Sequence, residues 1–159
     1  MRRLVYFSVA GLLIGADRLL KVWAARTLVE GRSYPLWGTL LQLTRMHNAG
    51  GAFGIFPGSG ILFLVVSVLV SGVLAALLFL GRPRGWLLRT GMTLVLAGAV
   101  GNLIDRLQFG YVLDFFEVRG FSVLNLADSC ITVGVAVILI HALFLGGEKD
   151  RPAPTTDRL

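Results

Sequence analysis

Charge is scarce in this chain. Only 15% of its 159 residues are Asp, Glu, Lys or Arg, against about 25% in an ordinary soluble domain. Cys130 is the one cysteine, so an internal disulfide is excluded. It lies in the apolar run Ser129-Cys130-Ile131 with no base beside it, which reads as a buried small residue rather than a nucleophile. Histidine occurs twice, as His47 and His141. They fall on opposite sides of the membrane in the topology below, so they do not form one metal site. Gly-x-Ser-x-Gly and His-Glu-x-x-His are both missing, which removes the common hydrolase signatures.

What the chain has is apolar length. Hydrophobic residues make up 55% and the mean hydropathy is +0.77. One domain is expected, over residues 1–147, with residues 148–159 a polar, Pro-containing cytoplasmic tail without fixed structure. The run Ile61 to Leu80 carries no charge. Its twenty residues would extend about 30 Å as a helix, one hydrocarbon thickness. Further spans are expected at about 4–24, 86–103 and 126–145. Each has to be helical, because lipid offers backbone amides no partner. The first resembles a signal peptide, with Arg2 and Arg3 before Leu4 to Ala16, but no small-x-small cleavage site follows it. A retained helix is the reading.

The net charge of +6 raises nucleic acid as a partner. The basic residues form no stripe with interleaved aromatics, however, and membrane lipids account for them. Arg2 and Arg3, and the loop residues Arg82 and Arg84, mark the cytoplasmic side by the positive-inside rule. Both termini are then cytoplasmic, and the segments 26–60 and 105–123 face outward. Alternation in Leu41-Gln42-Leu43-Thr44-Arg45 predicts short strands in the first of these.

Four acids, Asp17, Asp105, Asp114 and Asp128, sit within or beside the apolar spans, all toward the outward end. A carboxylate at that depth costs roughly 3 kcal/mol on insertion scales and needs partners, water or a function. Asp17 and Lys21 are four apart and predict an ion pair. Asn102, Asp105 and Arg106 form a polar helix end, with Arg106 expected to pair with Asp105. Asn125 and Asp128 open the last span, where Asp128 can cap amides and meet the helix dipole. Asn48-Ala49-Gly50-Gly51-Ala52-Phe53-Gly54 is either a close-packed turn or a loop that lets a ligand reach the backbone.

Carboxylates are thus the chemistry on offer. Two that meet share a proton. The ionised member can take a proton from water while the protonated one polarises an amide carbonyl. Such a reaction needs no metal and no cofactor. Asp114, among Tyr111, Val112, Phe115 and Phe116, and Asp128 suit it best. A non-enzymatic lipid- or peptide-binding protein and a small transporter would keep similar polar clusters. Proteases of the presenilin type carry Gly-x-Gly-Asp, which this sequence lacks.

Five motifs together resemble lipoprotein signal peptidase (signal peptidase II). Asp17-Arg18-Leu19-Leu20-Lys21 resembles D-Q-x-x-K, and Asn48 to Gly54 resembles N-x-G-x-A-F-[GS]. Ala97 to Arg106 resembles G-G-A-x-G-N-L-I-D-R. Val112-Leu113-Asp114-Phe115 resembles V-x-D-F, and Leu124 to Ile131 resembles F-N-x-A-D-x-x-I. Arg18, Ala97 and Leu124 depart from the usual Gln, Gly and Phe. The resemblance implies an all-α membrane protein of four transmembrane helices, with a small extracytoplasmic β-sheet and a short interfacial helix from the segment Tyr34 to Phe56. It implies a metal-independent aspartic endopeptidase of the bacterial inner membrane, active as a monomer. The enzyme would cut lipid-modified prolipoproteins before the diacylglyceryl-cysteine. Asp114 and Asp128 would be the catalytic pair. Asp17, Lys21, Asn48, Gly50, Asn102, Asp105, Arg106, Asn125 and Ala127 would support it or bind substrate.

Overall fold

The structure is a computed structural model and describes residues 2–50 and 60–145. Its long elements are helices α1 (Arg2–Thr27), α2 (Gly60–Leu80), α3 (Trp86–Phe109) and α4 (Leu126–Ile140), the last continued by a π-helical turn, His141–Leu145. By length and composition, three helices among the described residues could cross a membrane: Gly60–Leu80, Trp86–Phe109 and Leu126–Phe144. Most of α2 is exposed, including Ile61, Leu69 and Phe79, as an apolar helix facing lipid would be. Helix α3 is the central one. It runs on past Leu103 to Phe109 and ends on Gly110 in the left-handed region, φ 78°, a conformation glycine adopts without a Cβ penalty.

Small residues bring α3 and α4 together. A Cβ on Gly91 would lie 2.9 Å from the Gly134 carbonyl oxygen, and one on Gly134 would lie 2.7 Å from that of Gly91. Gly98 packs directly on the Ala127 carbonyl. Between helices in lipid, such close backbone approach supplies the van der Waals contact that water would otherwise drive.

Strands β1 (Ser33–Trp37), β2 (Leu41–Asn48), β3 (Val112–Val118) and β4 (Ser122–Leu124) form one antiparallel sheet in the order β1-β2-β3-β4. The alternating stretch at Leu41 is a strand, as expected. The second outward segment adds two strands that the sequence reading did not assign. Val112, Leu113, Asp114 and Phe115 are all buried, so the strand shows no alternation to read. Leu113 and Phe115 pack with Ala24 of α1 and with Leu28 just beyond its end, which fixes the sheet against the helix end. The expected short interfacial helix does not occur up to Gly50. The rest of its segment, with the second half of the glycine motif, lies outside the described residues, as does the tail.

Candidate active site

Asp114 sits on β3 opposite Met46, and Asn48 sits opposite Val112. This diagonal register puts Asn48 and Asp114 on one face of the sheet, where Asn48 Nδ2 donates to Asp114 Oδ2 at 3.0 Å. Asn48 Oδ1 accepts from the Gly50 amide at 3.0 Å, which holds its side chain in place. The face is closed: Asp114 is 1% exposed.

Asp128 enters from α4. Asn125 caps that helix, accepting from Asp128 N at 2.8 Å, while Asn125 N donates back to Asp128 Oδ2 at 3.3 Å, a reciprocal capping box. The capping role weighed for Asp128 is therefore real. It occupies only one carboxylate oxygen, however, and Oδ1 accepts from Asn102 Nδ2 at 2.7 Å. Asn125 also reaches the other carboxylate, its Nδ2 donating to Asp114 Oδ1 at 2.7 Å. One residue thus touches both aspartates.

Beneath the pair lies an ionic cluster. Lys21 Nζ is 2.8 Å from Asp17 Oδ2, 2.9 Å from Asp105 Oδ2 and 3.0 Å from Asn102 Oδ1. An ammonium has protons to donate and no acceptor; Lys21 donates to Asn102 Oδ1 and pairs ionically with the two carboxylates. This also sets the amides. Because Lys21 can only donate, Asn102 must present Oδ1 to it and its NH2 to Asp128. Asn102 Oδ1 then accepts from Asn125 Nδ2 at 3.1 Å, which commits the Asn125 amide toward Asp114. A single buried cation thereby aims two amides at the two carboxylates.

The cluster also ties helices together. Asp17 Oδ1 accepts from Ala127 N at 3.0 Å, and Asp105 Oδ2 from Leu113 N at 3.2 Å. The expected Asp17–Lys21 pair is present. The expected Asp105–Arg106 pair is not: among the described residues Asp105 pairs with Arg18 and Lys21. Adjacent helix residues point about 100° apart and do not face each other. Arg18 also donates to Gln108 at 3.0 Å and lies over the Phe109 ring. Arg106 turns the other way. Its Nη2 donates to the Gly50 carbonyl at 3.3 Å, and its guanidinium covers Phe63.

A cavity of about 270 Å³ opens beside Asp128 between α2, α3 and α4. Asn102, Arg106 and Asp128 form its polar end, and apolar residues such as Phe63, Val66, Val95 and Ile131 form its walls. Ser67 and Thr132 also line it. The sequence carried no signal for these lining residues, since in an apolar span a cavity-facing side chain looks like a lipid-facing one. Asp114, on the strand outside the helices, has its pKa pushed up to about 7. Burial is the main cause and the Asp128 charge the next; the Asn48 and Asn125 hydrogen bonds oppose both. Among the described residues, no three His, Cys, Asp or Glu side chains are grouped to hold a metal ion.

Fold and site together define a helical membrane protein whose polar centre sets a buried aspartate, Asp114, and a half-buried one, Asp128, on a shared asparagine, with Asp128 at the polar end of an apolar cavity. Residues 9–144 match the family model described as Signal peptidase (SPase) II, and the chain belongs to that bacterial membrane peptidase family. A lipoprotein signal peptidase of Moorella thermoacetica is 38% identical over 146 residues, which cover 92% of this chain and 97% of that one. One from Lactiplantibacillus plantarum is 39% identical over 142 residues, 87% of this chain and 94% of that one. A solved bacterial membrane enzyme matches with a TM-score of 0.84 at 27% identity over 94% of each chain.

Proposed function

We propose that the protein removes signal peptides from lipid-modified prolipoproteins, cutting before the diacylglyceryl-cysteine, and that Asp114 and Asp128 activate the water. The observation that carries this is the Asn125 bridge: its side chain binds Asp114 and its main chain binds Asp128. Asp114 and Asp128 are electrostatically coupled and titrate as a pair, and burial and the Asp128 charge raise the Asp114 pKa to about 7, so Asp114 is the member assigned the proton. Asp128 takes a proton from water, and the oxygen attacks the scissile carbonyl as the Asp114 proton polarises it. The resulting gem-diol collapses as the leaving amine is protonated. The relatives' names support the substrate class, and the family supports peptide hydrolysis. No step calls on a metal or a cofactor.

The membrane supplies orientation. All four helices cross the bilayer, with α1 completing the three apolar ones, both termini are cytoplasmic, and the sheet and aspartates lie at the outer face. Arg3, Arg82 and Arg84 at the opposite end support this orientation. A lipid-anchored substrate keeps its scissile bond at a set depth, so much of the entropic cost of positioning falls to the bilayer. Arg106 and the amides of Asn48, Asn102 and Asn125 position the carboxylates and substrate. Lys21, Asp17 and Asp105 hold the scaffold, and Gly50 and Ala127 contribute main-chain groups. Both aspartates and their amides come from one chain, so a monomer suffices.

The test is cleavage of a lipidated precursor by purified Asp114→Asn and Asp128→Asn. Each should insert normally and lose turnover by about 10²–10⁴-fold, and chelators should have no effect. Near-normal turnover in either variant sinks the pair assignment. Strong inhibition by EDTA points to a metal enzyme, and an uncut but bound precursor to a binding protein.

A further inference from the structure

At the end of the helices opposite Asp128 there is a second cavity, of about 330 Å³. Arg3 and Arg89 line it, with Tyr6, Leu4, Leu78 and Gly81. Both arginines are held from one edge. Arg3 Nη1 donates to the Phe79 carbonyl at 2.7 Å, and Arg89 Nε donates to the Pro83 carbonyl at 2.9 Å. Neither pairs with a carboxylate among the described residues. Each therefore keeps guanidinium donors for something else, and these donors suit bidentate binding of an oxyanion. Helix α3 adds to the field. It starts beside this cavity with Gly85 as its cap, no side-chain cap bond and no acid in its first turn. Its N-terminal dipole is thus not offset by an acid of its own first turn. Tyr6 offers a hydroxyl, while Leu4 and Leu78 make an apolar wall.

We propose that this cavity is a phosphate-binding site at the membrane edge, in which Arg3 and Arg89 clamp a phosphodiester or phosphate anion against the start of α3. The two arginines come from α1 and α3, and the Arg3 bond to Phe79 brings in α2. A bound anion would therefore join three helices at the end away from the carboxylates. The proposal is independent of the peptidase reading and is tested without cleavage.

Thermal unfolding of the full chain in phosphatidylcholine vesicles gives the baseline. Adding phosphatidylglycerol to the vesicles is one arm, and adding inorganic phosphate to phosphatidylcholine vesicles is the other. The expected result is a rise in Tm of about 3 °C or more in at least one arm. A rise confined to the lipid arm assigns a lipid headgroup, and a rise of equal size with inorganic phosphate assigns the free anion. Arg3→Gln with Arg89→Gln should abolish the rise, and Arg3→Lys with Arg89→Lys should retain part of it. Arg82→Gln with Arg84→Gln removes the same charge from the neighbouring turn outside this cavity, and should keep the rise. No rise in either arm overturns the site. So does a rise that survives Arg3→Gln with Arg89→Gln, or one lost equally in both glutamine pairs, since the last is only a surface-charge effect.

Discussion

Asn125 Nδ2 stands 2.7 Å from Asp114 Oδ1, with the amide's orientation set by Asn102 and, through it, by Lys21. The same residue caps α4, accepting from Asp128 N at 2.8 Å. A serine at this position can still cap the helix but cannot span to Asp114. Asn125→Ser should therefore keep a near-normal Tm while turnover falls about 10–100-fold, the worth of one hydrogen bond to a charged group. Asn125→Ala should lose both. Turnover of a lipidated precursor and thermal unfolding check this, and full activity in the serine variant would show the bridge to be inert.

Asp114 sets a pH dependence whose sign can be worked out. Its carboxyl titrates near the ordinary 3.8 when unfolded and at about 7 in the folded chain. Between those values the folded state holds the extra proton, so stability falls as pH rises through the window and levels off above it. Asp114→Asn should flatten that slope and be the more stable protein above about pH 7, by up to about 4 kcal/mol. Turnover of the parent should decline as pH rises past about 7, when the pair gives up its shared proton. Unfolding and initial rates measured across pH would test both, and stability rising with pH in the parent would refute the assignment.

Much of this was legible in the chain, for stated reasons. Ile61 to Leu80 announces itself by lacking charge, and Leu41 to Arg45 by alternating. Asp17 and Lys21 announce themselves by helical spacing. Strand β3 was not legible, because Val112 to Phe115 are covered on both sides and a strand buried that way has no period. Nor was the Asp105 partner. The nearest cation in sequence, Arg106, faces the cavity, and the cations that bind, Arg18 and Lys21, both come from α1, contacts no local pattern encodes. Asp128 shows a third limit. Cap and candidate catalyst looked like rival readings of one carboxylate, and the structure assigns its two oxygens to different partners.

Lys21 is 2% exposed and faces Asp17, Asp105 and Asn102 at once. Removing one side of a buried ionic cluster leaves uncompensated charge and typically costs about 3–5 kcal/mol. Lys21→Met should destabilise by that order and also lower turnover, since Asn102 loses the contact that orients it toward Asp128. Adding Asp17→Asn should recover part of the stability, and a double-mutant cycle in detergent measures how much. A loss no larger than that of an ordinary surface substitution would show that the cluster contributes little.

Gly98 tests whether helix spacing sets the carboxylate geometry. A Cβ there would collide with the Ala127 carbonyl and lie 2.7 Å from Ile131 Cγ1. Neither can withdraw easily. Ala127 is tied by its amide to Asp17 at 3.0 Å, and Ile131 is one helical turn further along α4. Gly98→Ala should push α4 away from α3, stretch the 2.7 Å bond from Asn102 to Asp128, and cost about 1–3 kcal/mol, as overpacking does. Gly15→Ala on α1 is the control, because a Cβ there meets nothing within 4 Å. If spacing matters, Gly98→Ala loses turnover and stability together while Gly15→Ala keeps both. If Gly98→Ala loses stability but keeps full turnover at a temperature where it is folded, the pair tolerates a shift of α4 and the spacing argument fails.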